Sequence, residues 1–232
     1  MKYDHVVSGK FIARPNRFIA HVEINGRLEV VHVKNTGRCR ELLIPGCKVY
    51  LSVADNPERK TKYDLIAVEK DIGATEPLLV NMDSQLPNAV TEEWLKKGGL
   101  FPKDAVIKRE YTYGKSRIDF YIEEGKRKIL MEVKGCTLEN DGVASFPDAP
   151  TERGVRHIKE LQNSLAEGYE AYILFVIQMK NMKVFKPNDA THKAFGDSLR
   201  EAVKAGVKVI AYECLVKPDS IAINKEVKVD FN

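Results

Sequence analysis

Asn25-Gly26 stands between two runs in which apolar and polar residues alternate, residues 18–24 and 28–33. An Asn-Gly pair supplies the left-handed residues of a tight hairpin turn, and a period of two turns one face of each strand toward a core. Further strand patterns cover residues 48–53 and 64–68. Four or five short strands in about 75 residues, with no helical period among them, specify a small β-barrel, of which the OB fold is the commonest.

The pattern changes after Leu79. Residues 88–99 predict a short helix with Thr91 as N-cap and Gly98-Gly99 as its stop. Strands are expected over 105–113, 116–122 and 128–133, followed by a loop that ends in Pro147-Asp148-Ala149-Pro150. Val155, Ile158, Leu161 and Leu165 form one apolar stripe on a helix over 151–167, which Gly168 closes. The continuous apolar run 169–177 reads as a strand buried on both faces, and a helix over 192–205 leads into a strand over 207–214. The order αβββαβαβ is a mixed α/β domain. The fold class is thus α/β, α+β overall, with a barrel at 1–82 and a mixed-sheet domain at 83–232.

A chain of 232 residues that is 44% hydrophobic and 30% charged has material for two packed cores, which excludes disorder and fibrous architectures. No apolar run approaches the ~18–20 residues of a membrane span, and Met1 to Lys10 lacks a basic-then-apolar leader pattern, so a cytoplasmic protein with no membrane partner is expected. Cys39, Cys47, Cys136 and Cys214 lack any C-x-x-C spacing and read as packing residues rather than zinc ligands or a disulfide framework. A net charge of +4, from 37 basic and 33 acidic residues, permits a polyanionic partner without requiring one.

Chemistry concentrates between Ser116 and Lys134. Alternation puts Ile118, Phe120 and Ile122 on one face of a strand, and Ile129, Met131 and Val133 on one face of the next. The opposite faces carry Asp119, Glu132 and Lys134. A two-residue turn at Gly125-Lys126 sets residue 124 against 127 and therefore Asp119 against Glu132. Two carboxylates so placed repel unless they share a proton, gain a basic neighbour or bind a cation, and a hard ion such as Mg²⁺ suits them. An ordinary solvated hairpin face is the competing explanation.

Asp119 with Glu132-Val133-Lys134, preceded by a helix and followed by an αβ unit, resembles the PD-(D/E)xK nuclease core. His32-Val-Lys-Asn35-Thr-Gly-Arg38 through Gly46, Leu79-Val-Asn81-Met-Asp83 through Asn88, and Asp141-Gly-Val-Ala-Ser-Phe-Pro147 through Gly154 resemble the sugar fermentation stimulation protein A family along nearly the whole chain. Ile118 stands where the nuclease motif usually has proline. The resemblance implies an OB-like domain joined to a nuclease-like domain, DNA binding with little sequence preference, and a link to the regulation of sugar (maltose) metabolism. It implies Asp119, Glu132 and the Val133 carbonyl as ligands of Mg²⁺ or Mn²⁺, and Lys134 as the residue that orients or deprotonates the attacking water. Cleavage by an Mg²⁺-dependent endonuclease using Asp119, Glu132 and Lys134 is the alternative to binding alone.

Arg14, Arg17, Lys34, Arg38 and Arg40 cluster around strand ends of the first domain, and Asn35, Thr36 and Gly37 form a polar loop among them. Such residues contact phosphates in an OB groove, where aromatic rings stack on bases. Phe11 lies in this region too, and Phe18 is assigned to the core. In the second domain Arg153 and Arg156 face outward on their helix as further phosphate contacts. Glu92 or Glu93, Glu152 and His157 are candidate additions to the site, each with a plainer explanation as a helix-terminus acid or a structural histidine. The expected partner is DNA, contacted mostly at its phosphates, with a homodimer allowed.

Overall fold

The computed structural model describes residues 1–232 other than Thr36, Pro57 and Lys115. Five strands build the barrel: β1 (Val6–Asn16), β2 (Ile19–Ile24), β3 (Arg27–Val33), β4 (Lys48–Val53) and β5 (Tyr63–Lys70). They pair in the order β3-β2-β1-β4-β5, and a short parallel contact of β3 with β5, His32↔Asp64 and Val33↔Leu65, closes the ring. At the Asn25-Gly26 turn both residues have positive φ, +50° and +75°, the conformation this pair tolerates best. β6 (Leu78–Asn81) extends the sheet from β5 and leads out of the barrel.

The second domain is a sheet of six strands in the order β15-β14-β12-β9-β8-β7. These are β7 (Val106–Tyr113), β8 (Ser116–Glu124), β9 (Arg127–Cys136), β12 (Glu170–Ile177), β14 (Lys208–Lys217) and β15 (Ser220–Val227). β9, β12 and β14 run parallel, and the outer pairs are antiparallel. Helix α1 (Leu86–Lys96) covers one face, while α2 (Glu152–Ser164) and α3 (Asp189–Ala205) cover the other. Both faces of the central strands are therefore dry, as the unbroken apolar run of β12 requires. The stretch expected to be a loop after β9 instead forms β10 (Leu138–Asn140) and β11 (Val143–Phe146), which join β13 (Val184–Pro187) in a small sheet.

Helix boundaries differ from the sequence reading where backbone geometry outweighs side-chain type. Thr91 is not an N-cap. It lies fully buried inside α1, and the helix starts near Gln85 with Pro87 in its first turn, where a missing N–H costs nothing. Asn188 caps α3, its Oδ1 accepting from Thr191 N, and His192 departs from helical geometry within the helix. Thr151 does cap α2, its Oγ1 accepting from Gly154 N at 3.0 Å.

The two domains share one apolar cluster, from Phe11, Val22 and Leu65 in the barrel through Val80 and Met82 to Phe175 and Phe185. Lys34 Nζ to Asp83 Oδ2 (2.8 Å) and Lys70 Nζ to Glu139 Oε2 (2.5 Å) add polar ties between them. At the N-terminus, Lys2 bridges to Ser220 and Tyr3 N donates to the Asp219 carbonyl, so the first residues lie against β15 rather than in the barrel. Among the described residues no helix is long and apolar enough to cross a membrane.

Candidate functional site

The β8–β9 hairpin turns at Gly125, φ +58°, with Glu124 opposite Arg127. Its ladder runs to Phe120↔Met131 and stops. The next position holds Asp119, whose carboxylate takes over the bonding: Oδ2 accepts from Val133 N and Oδ1 from Asn88 Nδ2 on α1, each at 2.8 Å. Regular alternation also fails here. Ile118 packs with Tyr121 and Leu130 on the α2 side of the sheet, not with Phe120 and Ile122 on the α1 side, so the expected common face of Ile118, Phe120 and Ile122 is broken. Glu110, between the residues that pair with Ile118 and Phe120, sits at φ +54°, an uncommon conformation outside glycine.

Glu132 points from β9 toward α2 and is 3% exposed. Its Oε1 accepts from Lys134 Nζ at 2.5 Å and is hydrogen-bonded to Nδ1 of His157, itself 4% exposed. Arg153 Nε donates to the other ring nitrogen at 3.3 Å, so Nε2 is the acceptor and the Nδ1 proton is the one given to Glu132. Glu132 Oε2 is buried with no hydrogen-bond partner among the described residues.

The two carboxylates are driven in opposite directions. Burial, then the negative charge of Glu132, lifts Asp119 above the ordinary range. Burial also pushes Glu132 upward, but the His157 hydrogen bond and the Lys134 ammonium overcome it and hold Glu132 below its usual value. With Glu132 Oε2 free of partners among the described residues, the two carboxylates offer hard oxygen donors from adjacent strands.

Of the acidic candidates outside the motif, none reaches this cluster. Glu92 pairs with Lys96 and Arg109, and Glu93 pairs with Lys97 and the N-terminal amine, all at the surface. Glu152 is exposed, 3.2 Å from His192 Nε2. His157, by contrast, joins it directly. Its signal in the sequence is spacing: Gly154, His157, Leu161 and Ser164 follow each other at three or four residues along the buried stripe of α2. Arg153 and Arg156 are exposed on the same helix.

In the barrel, Arg17, Arg38 and Arg40 are exposed around a shallow pocket of about 280 Å³ that Asn16, Gly37 and Leu43 also line. Arg14 shares that pocket, but its guanidinium donates to the carbonyls of Arg17, Asn35, Gly37 and Arg38 and so shapes the loop from within. Lys34 is engaged with Asp83, and the buried Asn35 accepts from Gly37 N at 2.7 Å. Thr36 lies outside the described residues. Phe11 is core, whereas Phe18, expected in the core, is 51% exposed beside Arg17.

Two family models match the chain: the SfsA N-terminal OB domain over residues 12–78 and the sugar fermentation stimulation protein RE domain over residues 85–220. A sugar fermentation stimulation protein homolog of Desulfitobacterium hafniense (strain DSM 10664 / DCB-2) is 59% identical over 221 residues, covering 95% of this chain and 94% of its own. One from Ruminiclostridium cellulolyticum is 55% identical over 229 residues, 99% of both chains. A solved structure described as Pyrococcus furiosus SfsA in complex with Ca²⁺ superposes with a TM-score of 0.86 at 33% identity, covering 99% of this chain and 98% of that one. An OB-like barrel, a mixed-sheet domain behind it and near full-length identity to these proteins make this chain a member of the sugar fermentation stimulation protein family.

Proposed function

We propose that this protein is a cytoplasmic DNA-binding protein whose second domain cleaves phosphodiester bonds with a divalent cation, Mg²⁺ or Mn²⁺. One observation carries the reading: the buried Glu132, on the strand next to that of Asp119, keeps one oxygen with no hydrogen-bond partner among the described residues. Among the described residues no cluster of three or more His, Cys, Asp or Glu is poised for a metal. Mg²⁺ does not need one, since it is held by one or two carboxylates and keeps several waters. Asp119, Glu132 and the Val133 carbonyl would hold the ion. When bound, it would neutralise phosphate charge and lower the pKa of a coordinated water. The Pyrococcus furiosus relative, described in complex with Ca²⁺, supports a hard cation in this family.

The chain's own groups have separate tasks. His157 fixes the Glu132 carboxylate through Oε1 and leaves Oε2 directed elsewhere, and Arg153 fixes the imidazole tautomer. Lys134 brings a cation to the same end of β9, where it would orient a water and stabilise charge developing on the phosphate. Arg17, Arg38, Arg40, Arg153 and Arg156 would supply contacts to the DNA backbone, which position without reading sequence.

A second reading is DNA binding without cleavage, serving regulation of sugar metabolism. It is favoured by the closure of the cluster on itself: Lys134 is bonded to Glu132, and both Asp119 oxygens accept hydrogen bonds. Supercoiled plasmid incubated with wild type and Lys134→Ala in Mg²⁺, Mn²⁺ or EDTA, scored for nicking and gel retention together, separates the two. Metal-dependent nicking lost in the variant with retention preserved supports the nuclease. Retention without nicking, equal in both proteins, supports binding alone, and absence of both refutes the proposal.

A further inference from the structure

Between the barrel and the second domain lies a cleft of about 350 Å³, at the end of β9 that carries Lys134. Asn35 and Gly37 of the barrel line one side, and the segment from Phe146 to Thr151 lines the other. Gly135, the residue after Lys134, is part of its floor, and Thr151, two residues before Arg153, is part of its rim. The cleft is therefore continuous with the candidate site in the chain, yet its character is opposite. No Lys or Arg is among its described lining residues, so a phosphate finds no counter-charge inside.

What the cleft offers is two fixed acceptors, on Gln178 and Asp148, among the hydroxyls of Ser84, Thr137, Ser145 and Thr151 and the apolar surface of Phe146, Pro147 and Pro150. Gln178 is 2% exposed, and its Nε2 donates to Asn81 Oδ1 at 3.0 Å and to the Asp83 carbonyl at 3.1 Å. That fixes the amide and turns Oε1 toward Gly135, where a Cβ would come within 2.7 Å of it. Oε1 accepts no hydrogen bond among the described residues. The Asp148 carboxylate stands on the facing strap, close enough to Gly37 that a Cβ there would approach Oδ2 to 2.6 Å. Phe146, held by ring contacts to Phe175 and Phe195 at 5.5 and 5.2 Å, and Pro147 and Pro150 supply rigid apolar surface.

We infer that this cleft takes one unpaired base of the DNA, from the nucleotide adjoining the phosphate held at Lys134 and Arg153. The inference rests on the proposed function and narrows its substrate to DNA with a single-stranded segment. Cations outside and acceptors inside match a nucleotide, whose phosphate is anionic and whose base edge carries N–H donors. Phe146, Pro147 and Pro150 suit a base face, and a single base is admitted by a volume that excludes a duplex. The hydroxyls can turn to suit any base edge, whereas Gln178 Oε1 and the Asp148 carboxylate only accept and so favour bases with an exocyclic amino group, cytosine ahead of thymine.

Fluorescence anisotropy of the full chain in Ca²⁺, with labelled duplexes that are blunt or carry a three-nucleotide dC or dT tail, tests this. The tail is expected to tighten binding on the order of tenfold, as one stacked base does, with dC ahead of dT. Ala149→Trp, which fills the cleft, is expected to remove the gain from the tail and leave blunt-duplex affinity unchanged. Asp148→Asn is expected to remove the preference for dC over dT. Equal binding of blunt and tailed DNA by wild type, or a tail gain that survives Ala149→Trp, overturns the inference and leaves the proposed function standing. Failure to bind either DNA overturns both.

Discussion

Replacing His157 with alanine tests whether the Glu132 carboxylate is held by a charge-assisted bond in a dry site. Both side chains are nearly solvent-free, at 4% and 5% exposure, and Glu132 Oε2 has no partner among the described residues to fall back on. A hydrogen bond to a charged group contributes about 1.5–3 kcal/mol, and breaking a buried pair costs about 3–5 kcal/mol because the remaining charge stays buried. Lys134 still bonds Oε1 in the variant, which places the expected loss near the lower end, about 3 kcal/mol. In a Glu132→Gln background only a neutral bond of about 0.5–1.5 kcal/mol is available to lose. The cost of removing His157 should therefore fall by about 1.5–2.5 kcal/mol between the two backgrounds. Urea unfolding of the four proteins at neutral pH, without divalent cations, measures that coupling. An equal cost of His157→Ala in both backgrounds would refute the argument, since it would make His157 a packing residue with no electrostatic link to Glu132.

Three further outcomes are expected. Asp64 closes the barrel through Arg59 and His32, and although burial raises its carboxyl, those bonds hold it below the ordinary range. A lowered native value stabilises above the unfolded value of about 3.9 and is lost as pH falls through the native one. Asp64→Asn should thus cost about 2 kcal/mol at pH 7 and flatten the acid side of the stability curve; an unchanged acid limb in urea titrations would count against the clamp. Gly135→Ala should lower the urea midpoint by the equivalent of about 1–3 kcal/mol, because a Cβ meets both Pro87 Cγ and Gln178 Oε1 at 2.7 Å. Arg14→Ala should destabilise by about 2–3 kcal/mol through its lost carbonyl bonds, whereas Arg38→Ala should stay within about 0.5 kcal/mol and instead reduce the salt slope of DNA retention by about 1. The reverse order of effects would exchange their roles.

Local sequence specifies the architecture: a barrel announced by alternating runs around Asn25-Gly26, then a mixed domain whose strands and helices follow their periods. It also placed Asp119, Glu132 and Lys134 on adjacent strands, because the Gly125 turn fixes register and register fixes which residues approach. These are local properties, set by turn chemistry and by the repeat of the backbone. Packing settled what each side chain does. It brought His157 from α2 onto Glu132, moved Ile118 to the other side of the sheet, turned Phe18 outward and buried Thr91 within α1. It also committed Arg14 to its own loop, while Arg17, Arg38 and Arg40 remain exposed. Burial and hydrogen-bond partners come from elements far apart in the chain. A period states that a residue faces a core, but packing alone states which core and which partner it meets there.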